Sequence, residues 1–254
     1  MTSLSIRTVH DVTGLSAVAG YFSDVWHTPR STPPYPAEVL HSLVHAGGAV
    51  HGAFDGERLV GAAVAVFGPP ASGEAYSLVA AADQGRGFEV KQAQRAWAVE
   101  RGARIMRWTF DPLVGRNARF NLVKLGAVCT EYLVDFYGPM ADGVNDGDET
   151  DRLAVTWDLI EPAQPESTGG RETAPVTHTA PDGGPLARRD PADRHVWCRV
   201  PDDIVALRAA DPESALCWRR AVREVFTKAF ADGFVATGMS RDGWYTLTRR
   251  EATA

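Results

Sequence analysis

Cysteine is scarce in this sequence, which has only three such residues among 254. Cys129, Cys198 and Cys217 are odd in number, and their spacing matches neither a set of paired disulfides nor a zinc knuckle. Long hydrophobic runs are also missing, because no stretch reaches the roughly 20 apolar residues of a membrane-spanning helix and residues 1–12 lack a signal-peptide core. We therefore expect a soluble protein of a reducing compartment, the cytoplasm, with no membrane partner.

The sequence also lacks an excess of positive charge, with a formal net charge of −6 and a pI of about 5.6. This excludes the overall basic surface of many nucleic-acid-binding proteins, so we expect no nucleic-acid partner. His41 and His45 are four residues apart, with His51 nearby, but no H-E-x-x-H pattern or cysteine accompanies them, so we expect no metal. Ser77 lacks the G-x-S-x-G context of a serine hydrolase.

Apolar periodicity and turn residues predict a regular succession of elements along the first 160 residues. The strongest signal is a hairpin of residues 49–54 and 58–67, joined by Asp55-Gly56-Glu57. The other predicted strands cover residues 74–80, 104–110, 128–137 and 153–160, and the predicted helices cover residues 11–27, 36–46, 87–101 and 115–125. The predicted order is β-α-α-β-β-β-α-β-α-β-β.

The composition predicts three segments along the chain. We expect a first domain of residues 1–160, a linker of residues 161–192 with little apolar content, and a C-terminal α/β extension of residues 193–254. The extension has a predicted strand near 196–200, helices from 201 and over 212–231, and a hairpin of 233–238 and 244–248. Its order β-α-α-β-β matches the opening of the chain, which fits either a partial structural repeat or an ordinary extension that caps the sheet.

A glycine-rich turn, Gln84-Gly85-Arg86-Gly87, connects the predicted strand 74–80 to the predicted helix 87–101. Glycine lets a backbone turn sharply and approach a ligand closely. The start of a helix has unpaired amides and the positive end of the helix dipole, which suits a phosphate. The turn is neither a P-loop nor a dinucleotide-binding G-x-G-x-x-G motif. Taken alone, it fits a phosphate site or a plain strand-to-helix turn.

The context of this turn resembles the GNAT N-acetyltransferase superfamily. Gln84 and Gly87 match its Q/R-x-x-G-x-G/A signature, and the turn follows a fourth strand that comes after a hairpin, as in that superfamily. The W-T-F-D-P run of residues 108–112 and the segment 116–126, which ends in Leu-Gly, are similar to a subgroup of acyl-CoA N-acyltransferases with a C-terminal extension. The resemblance covers residues 1–160 in topology and 78–160 in motif. It implies an α/β GNAT fold: a mixed, largely antiparallel sheet with flanking helices, plus a smaller C-terminal α/β segment.

The resemblance also implies acetyl-CoA or another acyl-CoA as co-substrate, and no metal. The turn would hold the CoA pyrophosphate, with Lys91 as a weaker contact, while the fourth strand would pair with the pantetheine arm and Asn117 would either cap its helix or bond CoA. The implied CoA-binding residues are Leu78, Val79, Ala80, Gln84, Gly85, Arg86, Gly87, Phe88, Glu89 and Asn117. Glu89 departs from the signature, which has Gly or Ala there, and its carboxylate would repel the pyrophosphate unless it points to solvent.

In the superfamily an amine attacks the thioester directly, and an amide of the fourth strand, here Val79 or Ala80, polarises the carbonyl. Glu74 is the first candidate for the general base and Asp111 the second. Their alternatives are a solvated strand end for Glu74 and a cap of the following turn for Asp111. Many members protonate the leaving thiolate with a tyrosine, but Leu122 stands at that position, so solvent or another residue would supply the proton.

The resemblance therefore predicts an acyl-CoA-dependent N-acyltransferase that moves an acetyl or succinyl group to a primary amine of a small molecule such as an amino acid. An arginine could bind the carboxylate of such an acceptor, and the candidates are Arg116, Arg119, Arg152, Arg219 and Arg223. One alternative is a catalytically degenerate acyl-CoA-binding sensor or scaffold, which Glu89 and Leu122 favour. Another is a protein-lysine acetyltransferase. A homodimer is compatible with the sequence.

Overall fold

The computed structural model describes residues 4–138, 148–164 and 169–250. The chain divides into two compact units, one of residues 1–108 with 158–160 and the other of residues 109–157 with 161–254. This division differs from the predicted boundary at residue 160, and the predicted domain scheme itself stays a prediction. No helix in the described ranges combines the length and the apolar character that crossing a membrane requires.

The first unit is an α/β structure built on strands that are mostly antiparallel. Its elements are β1 (Leu4–Thr8), α1 (Val12–Trp26), α2 (Ala37–His45), β2 (Ala49–Asp55), β3 (Arg58–Phe67), β4 (Glu74–Ala82), α3 (Gly87–Glu100) and β5 (Ile105–Phe110, the last two residues of which belong to the second unit). The strand order is β1-β2-β3-β4-β5. Strands β1 to β4 pair with one another in antiparallel fashion, whereas β4 and β5 are parallel.

Local sequence explains the ends of these elements. The Asp11 side chain accepts a hydrogen bond of 2.8 Å from the Gly14 amide and so caps the start of α1. Gly56 has a φ of +64° in the two-residue turn between β2 and β3, a conformation that glycine adopts without steric cost. Helices α1 and α2 pack on one face of the sheet around Phe22 and Leu40, whereas Val90 of α3 packs in a separate cluster with residues of β2 and β3.

The second unit is also an α/β structure with an antiparallel sheet. Its elements are α4 (Gly115–Arg119), β6 (Val128–Leu133), β7 (Arg152–Asp158), β8 (Val176–Thr179), β9 (Pro185–Arg189), β10 (His195–Arg199), α5 (Ile204–Ala210), α6 (Pro212–Ala231), β11 (Phe234–Met239) and β12 (Trp244–Arg249). The strand order is β7-β6-β11-β12-β10-β9-β8. Every adjacent pair in this order is antiparallel.

Helix α6 provides much of the core of the second unit. The Asp211 side chain caps its start by accepting the Ser214 amide at 3.0 Å, and Pro212 occupies the first helical position. Trp218, Val222 and Phe226 lie on its buried face, which packs against β6, β10 and β11. This spacing of four residues is that of a single helical stripe, so the helix is amphipathic.

The predicted fold class is confirmed, since the structure is α/β with a largely antiparallel sheet and flanking helices. The predicted element order is also found, with two differences. The helix predicted over residues 115–125 ends as an α-helix at Arg119 and continues as a π-helical turn over Phe120–Lys124. Residues 161–192, expected to be a linker, contain strands β8 and β9.

The two strands in the expected linker have a physical explanation. In β9 only Leu186 and Ala187 are fully buried, and β8 lies at the edge of its sheet with a mostly exposed pattern. Edge strands need few apolar residues, so the segment resembles a linker in composition.

The order β10-α5-α6-β11-β12 does match the opening of the chain, but β10 pairs with β12 whereas β1 pairs with β2. The predicted similarity is therefore one of element order and not of strand pairing.

Candidate functional site

One edge of β4 is free for most of its length. Strand β4 pairs with β3 from Ala75 to Ala82, but its pairing with β5 ends at Tyr76, opposite Arg107. Between Ser77 and Ala82 no other described strand takes the place of β5 on that side. Backbone N–H and C=O groups that leave a ladder need other partners, so this edge can pair with an extended ligand.

A β-bulge lies where the free edge begins. The register with β3 shifts between Val64, opposite Val79, and Ala65, opposite Ser77, so that Leu78 is the additional residue. A bulge bends its strand and redirects its neighbouring groups. The Tyr35 hydroxyl lies 3.5 Å from the Leu78 carbonyl oxygen, which ties the loop before α2 to the bulge.

The pantetheine-binding residues expected from the resemblance lie on this free edge. Leu78 and Val79 are half-buried, and Ala80 is exposed. The structure therefore presents these residues on one accessible edge of β4, next to the bulge.

The turn after β4 is held in place from both sides. Asp83 accepts a hydrogen bond from the Tyr21 hydroxyl at 3.2 Å and forms an ion pair with Arg58 at 3.0 Å. Its carbonyl oxygen accepts the Arg86 amide at 3.0 Å, which closes the turn. Gly85 inside the turn has a φ of +84°, and a Cβ there would meet no atom within 4 Å. This glycine is therefore needed for the backbone conformation, and the space beside it is open.

Helix α3 begins at Gly87 without a side-chain cap. The residue before it, Arg86, makes no capping hydrogen bond, and the Val90 amide donates to the Arg86 carbonyl at 3.3 Å. The amides of Gly87 and Glu89 precede the first amide that donates within the helix, that of Val90, so they can bind an external acceptor. Together with the positive end of the helix dipole, this arrangement suits a phosphate. Gln84, the first residue of the signature, is exposed in the turn.

Glu89 has an unfavourable environment at this helix start. Its Oε2 atom is buried and has no hydrogen-bond partner among the described residues. The side chain is half-buried, so it does not simply extend into water. A carboxylate oxygen without partners is costly to bury, and its charge opposes the binding of an anion at the same helix start.

The side chain of Lys91 is directed into the unit and away from solvent. It is 4% exposed, and its Nζ donates to Ser77 Oγ at 2.8 Å and to Gln94 Oε1 at 3.2 Å. Nζ also lies 3.9 Å from the centre of the Trp108 ring. Burial lowers the pKa of Lys91 to about 7. The sequence suggested a phosphate contact for Lys91, whereas its ammonium group lies against β4 and β5.

Glu74 lies at the opposite end of β4 from the glycine-rich turn. Arg107 Nη2 donates to its Oε1 at 2.8 Å, and the Glu74 side chain is 28% exposed. Leu78 lies four positions along the strand from Glu74, which is about 13 Å. A proton transfer between the bulge region and Glu74 would therefore pass through water.

In the second unit, Asp111 is enclosed by guanidinium groups. Its Oδ1 accepts from Arg219 Nη1 at 2.7 Å, and its Oδ2 accepts from Arg208 Nη2 at 2.5 Å and Arg219 Nη2 at 3.0 Å. Burial alone would raise the pKa of Asp111, but the hydrogen bonds and charge of Arg219, with Arg208, lower it to about 2. Asp111 also accepts the Leu113 amide at 2.9 Å, so it does cap the following turn. The geometry favours a structural anion over a proton acceptor.

The ion-pair cluster extends beyond Asp111. Arg208 Nε and Arg219 Nη2 both donate to Asp148 Oδ2 at 2.7 Å. Arg223 binds Asp151 at 2.7 Å, and the Asp151 carboxylate also accepts the Tyr132 hydroxyl at 2.7 Å. The carboxylates around residues 148–151 and the arginines spaced by four along α6 are the sequence signal for this cluster. Arg219 and Arg223 are thus occupied by carboxylates of the protein.

Asn117 is the third residue of α4, and its side chain is exposed. The residue before α4 is Val114, which makes no side-chain cap, so Asn117 does not cap this helix. Leu122 is 1% exposed in the π-helical turn and belongs to the apolar core. A single π-helical turn of this kind is often found at functional sites.

The other candidate arginines have different surroundings. Arg152 is 9% exposed, its Nη1 donates to the Asp151 carbonyl at 2.8 Å, and its guanidinium lies 5.1 Å from the Tyr137 ring centre. Arg119 donates to the Met239 carbonyl at 3.1 Å, and Arg116 is exposed. Within the described ranges, Arg152 and Arg119 have no carboxylate within 4 Å. The described residues also contain no group of three or more His, Cys, Asp or Glu side chains placed to hold a metal.

Solved structures identify the fold. An N-acetyltransferase from Staphylococcus aureus Mu50 superposes with a TM-score of 0.51 at 13% identity, over 62% of this chain and 99% of that chain. The yncA protein of Salmonella typhimurium, described as an acetyltransferase and solved with its cofactor acetyl-CoA, gives a TM-score of 0.50 at 16% identity, over 65% and 99%. No protein-family model and no curated protein sequence matches the chain. The chain therefore has the fold of the GNAT acetyltransferases, as its sequence motifs predict.

The structural role of Asp111 predicts a large effect of the Asp111→Asn substitution. We expect unfolding by urea at pH 7 to show a loss of about 3 kcal/mol, because the substitution leaves the guanidinium of Arg219 buried and less compensated. Asp24→Asn is the matched control, since Asp24 pairs with Arg30 where both side chains are exposed, and it should cost under about 1 kcal/mol. An equal, small loss in both variants would contradict the structural role.

The same difference should depend on pH. The pKa of Asp111 is lowered from 3.8 to about 2 on folding, so its contribution is complete above pH 3.8 and is lost as the pH falls through about 2. The gap between wild type and Asp111→Asn should therefore shrink between pH 4 and pH 2 and remain constant above pH 5.

Proposed function

We propose that this protein is an acyl-CoA-dependent N-acyltransferase that transfers an acetyl or succinyl group to a primary amine of a small molecule. The observation that supports this most is the continuity of three features in the first unit. The free edge of β4 begins at the Leu78 bulge, runs to Ala82 and leads through the glycine-rich turn into the uncapped start of α3. Together they would provide backbone partners for an extended arm and for an anion at its end.

Acyl-CoA has the chemical parts that fit this path. Its pantetheine arm carries amides that would pair with the backbone of Leu78, Val79 and Ala80, and its pyrophosphate would lie over the amides of Gly87 and the next two residues. The bound acetyl-CoA of the Salmonella protein supports this assignment, because that protein has the same fold. Asn117 stays a predicted CoA contact.

The proposed reaction is direct attack of a neutral amine on the thioester. A C–N bond forms, the C–S bond breaks, and CoA leaves as a thiolate. The amide of Val79 or Ala80, next to the bulge, would donate to the carbonyl oxygen as negative charge develops there. Glu74 remains the proposed base, with a water chain as the path, because the carboxylate of Asp111 is held by two arginines.

The surroundings of the arginines bear on the acceptor. Arg152 has no described carboxylate within 4 Å of its guanidinium, and an acceptor that carries a carboxylate, such as an amino acid, stays a prediction. A cytoplasmic location fits the three cysteines, none of which forms a disulfide in the structure. A homodimer stays a prediction.

The second candidate function is an acyl-CoA-binding sensor or scaffold without turnover. The buried, unpaired oxygen of Glu89 and the apolar Leu122 favour this reading, because neither side chain assists catalysis. The two functions share the same binding site and differ in whether the thiol is released.

The binding site predicts measurable affinity for acetyl-CoA, succinyl-CoA and CoA in calorimetric titration. Glu89→Gln should tighten all three about threefold to tenfold, because it removes a charge that opposes the pyrophosphate and keeps the side-chain shape. Glu100→Gln is the control, since Glu100 is an exposed carboxylate at the other end of α3, and it should leave the affinities unchanged. Absence of binding to any of the three ligands, also after Glu89→Gln, would exclude the proposal.

Turnover separates the two functions. An N-acyltransferase should release free thiol from acetyl-CoA or succinyl-CoA when small primary amines are added, including amino acids. If Glu74 receives the proton, Glu74→Gln should lower kcat at least tenfold with little change in the KM for the acyl-CoA. Glu131→Gln, on an exposed residue of β6, is the control. Binding without thiol release for every amine would favour the sensor.

A further inference from the structure

The ammonium group of Lys91 lies where β4 and β5 separate. Its Nζ is 2.8 Å from Ser77 Oγ on β4 and 3.9 Å from the ring centre of Trp108 on β5. Ser77 and Trp108 each follow the last paired residue of their strands, because the pairing ends at Tyr76 and Arg107. The cation therefore touches both strands at the point where their backbones part.

This cation has no compensating anion in its surroundings. Lys91 is 4% exposed, and no carboxylate of the described residues lies within 4 Å of its Nζ. Burial is the one cause that shifts its pKa, and no charged neighbour opposes the shift. The face of Trp108 offsets part of the cost through a cation–π contact. An isolated buried charge is expensive, which is why burial lowers the pKa of Lys91 to about 7, and an anion beside the ammonium would favour its charged form.

The elements packed against α3 do not supply the missing charge. These elements are β1 to β4, with the β5 contact through Trp108, and their titratable groups are Arg7, His51, Asp55, Arg58, Glu74, Tyr76 and Arg107. The two carboxylates among them lie at the ends of their strands, where Glu74 binds Arg107. On α3 itself, Glu89 lies two residues before Lys91, and Arg95 donates to the Leu159 carbonyl.

The polar neighbours of Lys91 also have an unused donor. Gln94 Oε1 accepts from Lys91 Nζ at 3.2 Å and from Ser77 Oγ at 3.0 Å. Gln94 is fully buried, and its Nε2 has no hydrogen-bond partner among the described residues. The cluster of Lys91, Ser77 and Gln94 therefore contains a positive charge and an unpaired donor but no anion. An anionic acceptor next to the cluster would balance the charge of Lys91 and accept a hydrogen bond from Gln94 Nε2.

We propose that this cluster stabilises the negative charge that forms on the CoA sulfur during acyl transfer. The inference depends on the proposed function, because the thioester would then lie at the start of the free edge of β4, beside Ser77. When the amine nitrogen bonds to the carbonyl carbon and the C–S bond breaks, the electron pair of that bond stays on sulfur. The proton of the amine passes to the base, and the thiolate takes up a proton from solvent after it leaves.

This role accounts for two features together. A thiolate stabilised as an anion does not need a general acid, which agrees with the sequence, where Leu122 stands in place of the tyrosine of many superfamily members. The thiolate would also supply the counter-charge that the buried ammonium lacks. Lys91 and the thiol would then titrate as a coupled pair.

The experiment that tests the inference is a pH titration of the thiol of bound CoA, followed by the ultraviolet absorbance of the thiolate. In the wild type, the pKa of the thiol of bound CoA should lie about one unit below that of the thiol of free CoA. At a pH below both values, this raises the thiolate fraction roughly tenfold. Lys91→Met keeps the length of the side chain without its charge and should abolish the shift. Lys228→Met is the control, since Lys228 is exposed on α6, and it should preserve the shift.

The outcomes distinguish the inference from the proposed function. If CoA binds to the wild type but its thiol titrates like that of free CoA, the thiolate role is wrong and the binding function stands. If CoA does not bind at all, the proposed function fails and the inference fails with it. If Lys91→Met does not fold, the wild-type titration still shows whether the thiol pKa is lowered. Gln94→Leu then serves as the second variant. It removes one partner of Lys91 and the unpaired donor, and it should reduce the shift of the thiol pKa.

Discussion

The separation of β4 from β5 after three paired residues is the constraint on which the proposed chemistry depends. Continued pairing would satisfy the backbone of β4 up to Ala82 and leave no edge for a ligand. The bulge at Leu78 bends β4 at the same place, so the change in pairing and the change in direction coincide. The strand then leads directly into the uncapped start of α3, where an anion can bind.

Two charged side chains on α3 act on this region in opposite ways. Glu89 puts a carboxylate with a buried, unpaired oxygen at the helix start, where it weakens the binding of an anion. Lys91, two residues later, puts a cation without a carboxylate partner at the opening between the strands. Glu89 should therefore lower the affinity for an anionic ligand, whereas Lys91 should stabilise a negative charge that forms during the reaction. Affinity and turnover thus depend on different residues of α3.

Much of the fold and the turn could be predicted from the sequence, because their signals are local. Gly56 between two apolar runs indicates a hairpin, and the spacing of Gln84 and Gly87 after a strand indicates the start of a helix with a possible phosphate site. The partners of Asp111 could not be predicted in this way. Its arginines lie 97 and 108 residues further along the chain, so only the tertiary structure brings these charges together.

The orientation of Lys91 shows a different limit of sequence reasoning. Its position one turn into a helix suggests a phosphate contact, but the helix rotation places the side chain against Ser77 and Trp108. The strands β8 and β9 escaped prediction because an edge hairpin buries few residues, such as Leu186 and Ala187. The composition of the segment that contains β8 and β9 therefore resembles that of a linker.

Hydrogen exchange of the β4 amides with and without saturating acetyl-CoA tests whether acyl-CoA pairs with the free edge of β4. The amides between Ser77 and Ala82 that face away from β3 have no partner among the described strands and should exchange quickly in the free protein. Acetyl-CoA should slow their exchange at least tenfold, and it should slow the amides of Gly87 to Glu89 as well, whereas the paired amides of β2 and β3 should change little. Binding of acetyl-CoA that leaves the β4 edge as exchangeable as before would contradict the account.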